Sequence, residues 1–107
     1  MLDRQAVLET RELKLEQERE ALQQKINTIL VQGRQILISD PGTLSSLDAA
    51  SKLYYQAAIF EANNVNTLRF REQILDTYSD LAINQMNAIE FDAALYTVEQ
   101  GLKLKDA

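Results

Sequence analysis

Between Leu2 and Ile38 an apolar residue returns every seven positions, at Leu8, Leu15, Leu22, Ile29 and Ile36, with no Pro in the stretch. That spacing keeps side chains on one side of a helix, so it predicts a single long helix. Its first two thirds, LDRQAVLETRELKLEQEREALQQK, are dense in charge, whereas the last third, INTILVQGRQILI, is apolar. From Leu22 onward the pattern widens to Leu22, Ile26, Ile29, Leu30, Gly33, Ile36 and Leu37, the broad stripe of a helix packed into a core. Residues 1–24 are therefore expected to form a helical arm and residues 25–107 a helical domain. Gly33 within the buried stripe costs about 1 kcal/mol relative to Ala, and close approach of another helix is the expected compensation.

The arm is an imperfect coiled-coil strand. Leu8, Leu15 and Leu22 are its candidate self-association residues, but the companion seam positions are Glu12 and Arg19 and only later Ile26. A dimeric seam wants apolar side chains at both sites. Two readings stay open: a solvated helix ordered beside a neighbour, and a homodimer through the N-terminal helix. Pairs such as Glu16 with Arg19 and Lys14 with Glu18 would each support the helix by a few tenths of a kcal/mol.

Asp40-Pro41-Gly42 ends the first helix, because Pro41 restricts the residue before it and lacks an amide donor. Ser45 with Asp48 resembles a capping box, which predicts a second helix over residues 46–61 with Leu47, Ala50, Leu53, Tyr54, Ala57 and Ala58 inward. The Asn-rich break at residues 62–66 precedes a third helix over residues 67–87, with Leu68, Ile74, Leu75, Tyr78, Leu81, Ala82 and Gln85 on one face. A fourth is expected over residues 91–103, with Phe91, Ala94, Leu95, Val98, Gly101 and Leu102 inward and Lys103 and Lys105 at its C-terminal end. By this spacing Tyr55, Phe70 and Tyr96 fall off the inward stripes. With only 3 Gly and 1 Pro in 107 residues, the fold class is all-α: a long N-terminal helix running into a bundle of about four antiparallel helices.

Charge and composition exclude several functions. Residues 1–25 hold 5 basic and 6 acidic side chains and residues 26–107 hold 6 and 10, giving −1 and −4 of the total −5. No basic patch exists to neutralise phosphates, so neither nucleic acid nor an anionic bilayer is an expected partner, whereas a basic protein or peptide is. No apolar run approaches the length of a membrane span, so no direct membrane insertion is expected. The N-terminus also lacks a signal-peptide core. With 0 Cys the redox compartment stays open between periplasm and cytoplasm. Because His is 0 as well, the commonest general base, the thiolate nucleophile and the usual transition-metal ligands are missing, and no phosphate-cradling Gly-rich loop occurs. No catalytic residue, metal site or cofactor is expected.

The second and fourth helices share a spacing of small and large residues. Ala50, Tyr54, Ala57 and Ala58 align with Ala94, Val98, Gly101 and Leu102 at an offset of 94 − 50 = 44 residues. With Tyr78, Leu81 and Ala82 before them and Phe91 preceding Ala94, these residues resemble the tetratricopeptide repeat. The family's period is 34 residues, and the extra ten here fall in residues 65–74. The resemblance covers residues 26–107 and implies helix pairs with an inner groove lined by first helices. It would put Asp76, Ser79, Ile83 and Met86 in that groove, with Asp80 beside it, as partner-binding residues favouring a basic peptide. Alternatively, Glu72, Asp76 and Asp80, four residues apart in turn, are a solvated acidic face. A narrower likeness rests on Gly33-Arg34, Leu37, Pro41, Ala50, Tyr54-Tyr55, Asn64, Ile74, Tyr78, Leu81-Ala82 and Gly101-Leu102. In that order they are similar to helical segments attached to bacterial serine/threonine kinases and formylglycine-generating-enzyme-like proteins. This implies a non-catalytic interaction and oligomerisation module, a piece of a larger bacterial protein, or alternatively a regulatory spacer of a membrane-anchored enzyme such as a kinase.

Overall fold

The computed structural model describes residues 4–106, which form four helices and no strand: α1 (Arg4–Ser39), α2 (Leu44–Phe60), α3 (Val65–Asn87) and α4 (Phe91–Lys105). The protein is all-α, with a 36-residue first helix leading into a bundle. Residues 1–3, including Leu2 of the predicted helix, lie outside the described residues.

Each break has a local cause. α1 runs to Ser39, where Pro41 stops it, and Asp40 N–H closes on Ile36 O at 3.0 Å. The N-cap of α2 is Thr43, not the expected Ser45: Thr43 Oγ1 accepts from the Ser46 amide at 3.2 Å and donates to Asp40 at 3.0 Å. The helix thus starts two residues earlier than the capping-box pattern indicates, since the first competent hydroxyl after Gly42 satisfies the free amides. Asn64 caps α3, its Oδ1 accepting from the amides of Asn66 and Thr67 at 2.9 and 3.2 Å. Between α3 and α4 the chain makes a Schellman turn, with Glu90 N–H bonded to Gln85 O at 2.8 Å and Ile89 N–H to Met86 O at 3.0 Å. Ile89 occupies the left-handed position at φ 62°, where Gly is usual.

The four helices pack as two antiparallel pairs. In the first, Gln23 of α1 bonds Glu61 beyond the end of α2 (2.9 Å), while Ile36 lines a cleft with Ala49 and Leu53 near the other end of α2. In the second, Gln85 near the end of α3 accepts from Thr97 of α4 at 2.6 Å, and Tyr78 lies against Gly101. The pairs join where Phe70 of α3 meets Gly33 of α1 and where Tyr78 stands 3.4 Å from Ser51 of α2. Ile26, Leu30, Leu47, Tyr54, Phe70, Ile74 and Leu104 are central to the resulting core.

Two expected faces are corrected. Phe70, placed off the inward stripe by spacing, is fully buried, because Gly33 leaves room on α1 for its ring. In α4 the buried residues are Ala94, Thr97, Gly101 and Leu104, and the expected inward residues Phe91, Leu95, Val98 and Leu102 are exposed. Small side chains at Ala94 and Gly101 let α4 approach α3 closely. The buried Thr97 hydroxyl is satisfied by Gln85 and by Ala93 O at 2.9 Å. The larger side chains therefore turn outward.

Candidate interaction site

Residues 4–21 of α1 are exposed throughout, Leu22 and Gln23 are half-buried, and Ile26 is the first fully buried residue. About 27 Å of helix thus stands clear of the bundle. At 100° per residue Leu8 and Ile26 are separated by five full turns, so Leu8, Leu15 and Leu22 point to the side on which α2 and α3 cover Ile26, Leu30, Gly33 and Leu37. The arm is the bundle's buried stripe continued past its cover. That cover ends at the α2–α3 connection, fixed to the arm by Gln23 to Glu61 (2.9 Å) and Asn64 to Gln23 (3.2 Å). Val7 and Leu13 are also exposed, and neither Glu16 with Arg19 nor Lys14 with Glu18 closes to an ion pair. The ion pairs among the described residues are Lys52–Asp48 at 3.2 Å and the longer Arg71–Glu72 at 4.0 Å.

Asp76, Ser79, Asp80, Ile83 and Met86 all lie on the exposed side of α3, opposite buried Phe70, Ile74 and Tyr78. They do not converge on one cleft. Asp76 lines a cleft of about 330 Å³ between α1 and α3 with Arg34, Leu37, Ile38, Gln73 and Thr77. Ser79 lines a second, also about 330 Å³, between α3 and α4 with Glu72, Leu75, Tyr78, Val98, Gly101, Leu102 and Lys105. Asp80, Ile83 and Met86 line neither. Arg34 faces the same cleft as Asp76, and its Nε is buried without a protein partner. That cleft is therefore of mixed charge.

The larger concavity, about 820 Å³, runs along the outer side of the α1–α2 pair and is lined by Val31, Ile36, Ala49 and Leu53 with Gln32, Gln35 and Lys52. Asp40, Ser39 and Ser46 complete its lining. Of the titratable groups, Tyr78 is displaced: burial pushes its phenol above the ordinary value near 10, against the opposing Ser51 hydrogen bond. Asp48, Tyr55 and Tyr96 add smaller upward contributions. Among the described residues no three His, Cys, Asp or Glu side chains gather closely enough to hold a metal ion, and no helix is long and apolar enough to cross a membrane.

Sequence reasoning missed the outer face of α4. A legible signal was present: in the aligned helices the small residues Ala94 and Gly101 match Ala50 and Ala57, which marks that side as the packed one in both. Compared with known proteins, the chain gives no significant match to a family profile, to a curated protein or to a solved structure.

Proposed function

We propose that the chain is a non-catalytic protein–protein interaction and oligomerisation module, related to tetratricopeptide-type helical repeats and forming part of a larger bacterial protein. The observation that carries this reading is the arm. Leu8 and Leu15 leave an apolar stripe in water, clear of their own bundle, and a second helix laid on that stripe would cover it. The two antiparallel pairs, with small residues buried at an offset of 94 − 50 = 44 and 101 − 57 = 44, support the repeat relationship. The lack of His and Cys supports a non-catalytic role.

In this reading Leu8 and Leu15 make the seam with a second copy, and the seam ends at Leu22, a residue already packed against the bundle's core. The seam is short, because beyond Leu22 the same side is occupied by α2 and α3. Glu12 and Arg19 weaken it further, so the association is weak and depends on protein concentration. Light scattering over a concentration series tests this: the mass rises above 12.2 kDa with concentration in the parent and stays monomeric in Leu8→Lys with Leu15→Lys. Monomeric mass in both proteins at all concentrations removes self-association. Because both leucines are exposed, the variant keeps the parent's unfolding midpoint at concentrations where the parent is monomeric.

A further inference from the structure

The outer side of α4 is an apolar face with nothing over it: Phe91, Leu95, Val98 and Leu102 are 61, 61, 44 and 50% exposed. Their spacings of four, three and four make a continuous stripe along the helix. Subtracting the 44-residue offset gives Leu47, Ser51, Tyr54 and Ala58 of α2. There Leu47, Ser51 and Tyr54 are 0, 8 and 5% exposed and Ala58 is half-buried. α3 covers that side of α2, as the 3.4 Å approach of Tyr78 Oη to Ser51 shows. One stripe is therefore covered by a helix in the first pair and open in the second.

The rims of the open face are acidic. Asp92, Glu99 and Asp106 follow the apolar stripe along one edge at intervals of seven, and Glu72 of α3 lines the other. The equivalent positions 48, 55 and 62 in the first pair are Asp48, Tyr55 and Ala62, so most of this acidic edge is peculiar to α4. Two cations stand among the rim residues: Lys105 lines the groove at its far end, and Lys103 lies on the Asp92–Glu99 edge, four residues beyond Glu99, so the rims are acidic on balance, with four carboxylates against two ammonium groups. A third feature stands beside Phe91. Ile89 holds a left-handed conformation at φ 62° with its side chain 75% exposed, a strained β-branched residue without burial in the fold to offset it.

We infer that the α3–α4 face is the docking site for a cationic amphipathic helix of a partner protein, seated on α4 as α3 is seated on α2. An apolar ridge of that helix would lie along Phe91, Leu95, Val98 and Leu102, and Lys or Arg on its edges would meet Asp92, Glu99 and Glu72. The chain's own arm does not fit this pose. Lying antiparallel to α4, it would bring its acidic edge, Glu9 and Glu16, against Asp92 and Glu99. The inference rests on the interaction-module reading and names the kind of partner.

The test uses the 107-residue chain and two synthetic helical peptides. Both carry Phe, Ile and Tyr at the spacing of Phe70, Ile74 and Tyr78; one has Lys on both edges and the other Glu. Fluorescence anisotropy should show the Lys peptide binding at least ten-fold more tightly than the Glu peptide. Leu95→Ser with Val98→Ser should weaken it at least ten-fold, and Glu99→Lys with Asp106→Lys should remove the preference for Lys. All four side chains are exposed, and unchanged circular dichroism confirms that the variants fold. Equal binding of the two peptides, binding indifferent to the α4 variants, or no binding of the Lys peptide overturns the inference. Light scattering on the same samples reads the arm separately, so loss of the docking site with arm-dependent association intact leaves the module reading standing.

Discussion

Gly33 shows how one missing Cβ sets the contact between the two helix pairs. A Cβ built there would overlap the Phe70 ring, with Cε2 only 2.7 Å away, and Phe70 has no free space into which to retreat because it is fully buried. Gly33→Ala gains about 1 kcal/mol of helix propensity but must displace a packed ring. We expect a net loss of about 2 kcal/mol of stability by urea denaturation. Combining it with Phe70→Leu should cost less than the sum of the two single changes, because the smaller side chain yields the space. A Gly33→Ala protein as stable as the parent would show that the close approach of α1 and α3 is absent in solution. Gly101 is a milder case, since its Cβ would meet the Tyr78 Cβ at an ordinary 3.4 Å.

The elements are defined mostly by their ends, and the connection of α3 to α4 is the one whose residue choice opposes its geometry. The two Schellman hydrogen bonds ask for a left-handed residue at position 89, and an L-residue with a branched Cβ resists that conformation. Ile89 contributes little burial in return. Ile89→Gly is expected to stabilise the protein by about 1 kcal/mol, raising the thermal midpoint by roughly 4 °C. A midpoint that falls would mean that Ile89 makes packing contacts that its exposure hides. The helices themselves were legible in sequence because Pro41, the Asn run at 62–66 and the changes of apolar phase mark their limits. The cap at Thr43 was less so. Four hydroxyl or carboxyl side chains lie within residues 43–48, and only the backbone geometry selects among them.

On the scale of the whole molecule, the protein is an elongated body of 78 × 26 × 15 Å. Its radius of gyration is 19.5 Å, against about 13 Å for a compact domain of this length. The excess is the arm. Within the bundle the two pairs meet at Tyr78, whose ring lies against Gly101 of its own pair and whose hydroxyl reaches Ser51 of the other. Burial favours the neutral phenol and raises its pKa in the folded state. Its contribution is therefore complete below the ordinary phenol value near 10 and is lost as pH rises through the folded-state value. The urea midpoint should thus carry no Tyr78 contribution to its slope between about pH 8 and pH 9, then fall above about pH 10. Tyr78→Phe should flatten that decline relative to the parent. An equally steep decline in the variant would show that other tyrosines cause it.

The seven-residue recurrence of leucine, the scarcity of Gly and Pro, and the charge gradient along α1 determine by themselves that this chain is helical, with four segments and an arm running into a bundle. Those are local properties, set by backbone propensity and by the period of a single helix. Which side of α4 is packed, where Phe70 goes, and whether Asp76 and Ser79 share a cleft depend instead on how closely two helices approach. Small residues on one helix and a large ring on another settle that distance together, so the periodicity of either helix alone left two sides of α4 equally apolar. Tertiary packing buried the side of small residues, against which α3 comes closest, and left Phe91, Leu95, Val98 and Leu102 facing outward.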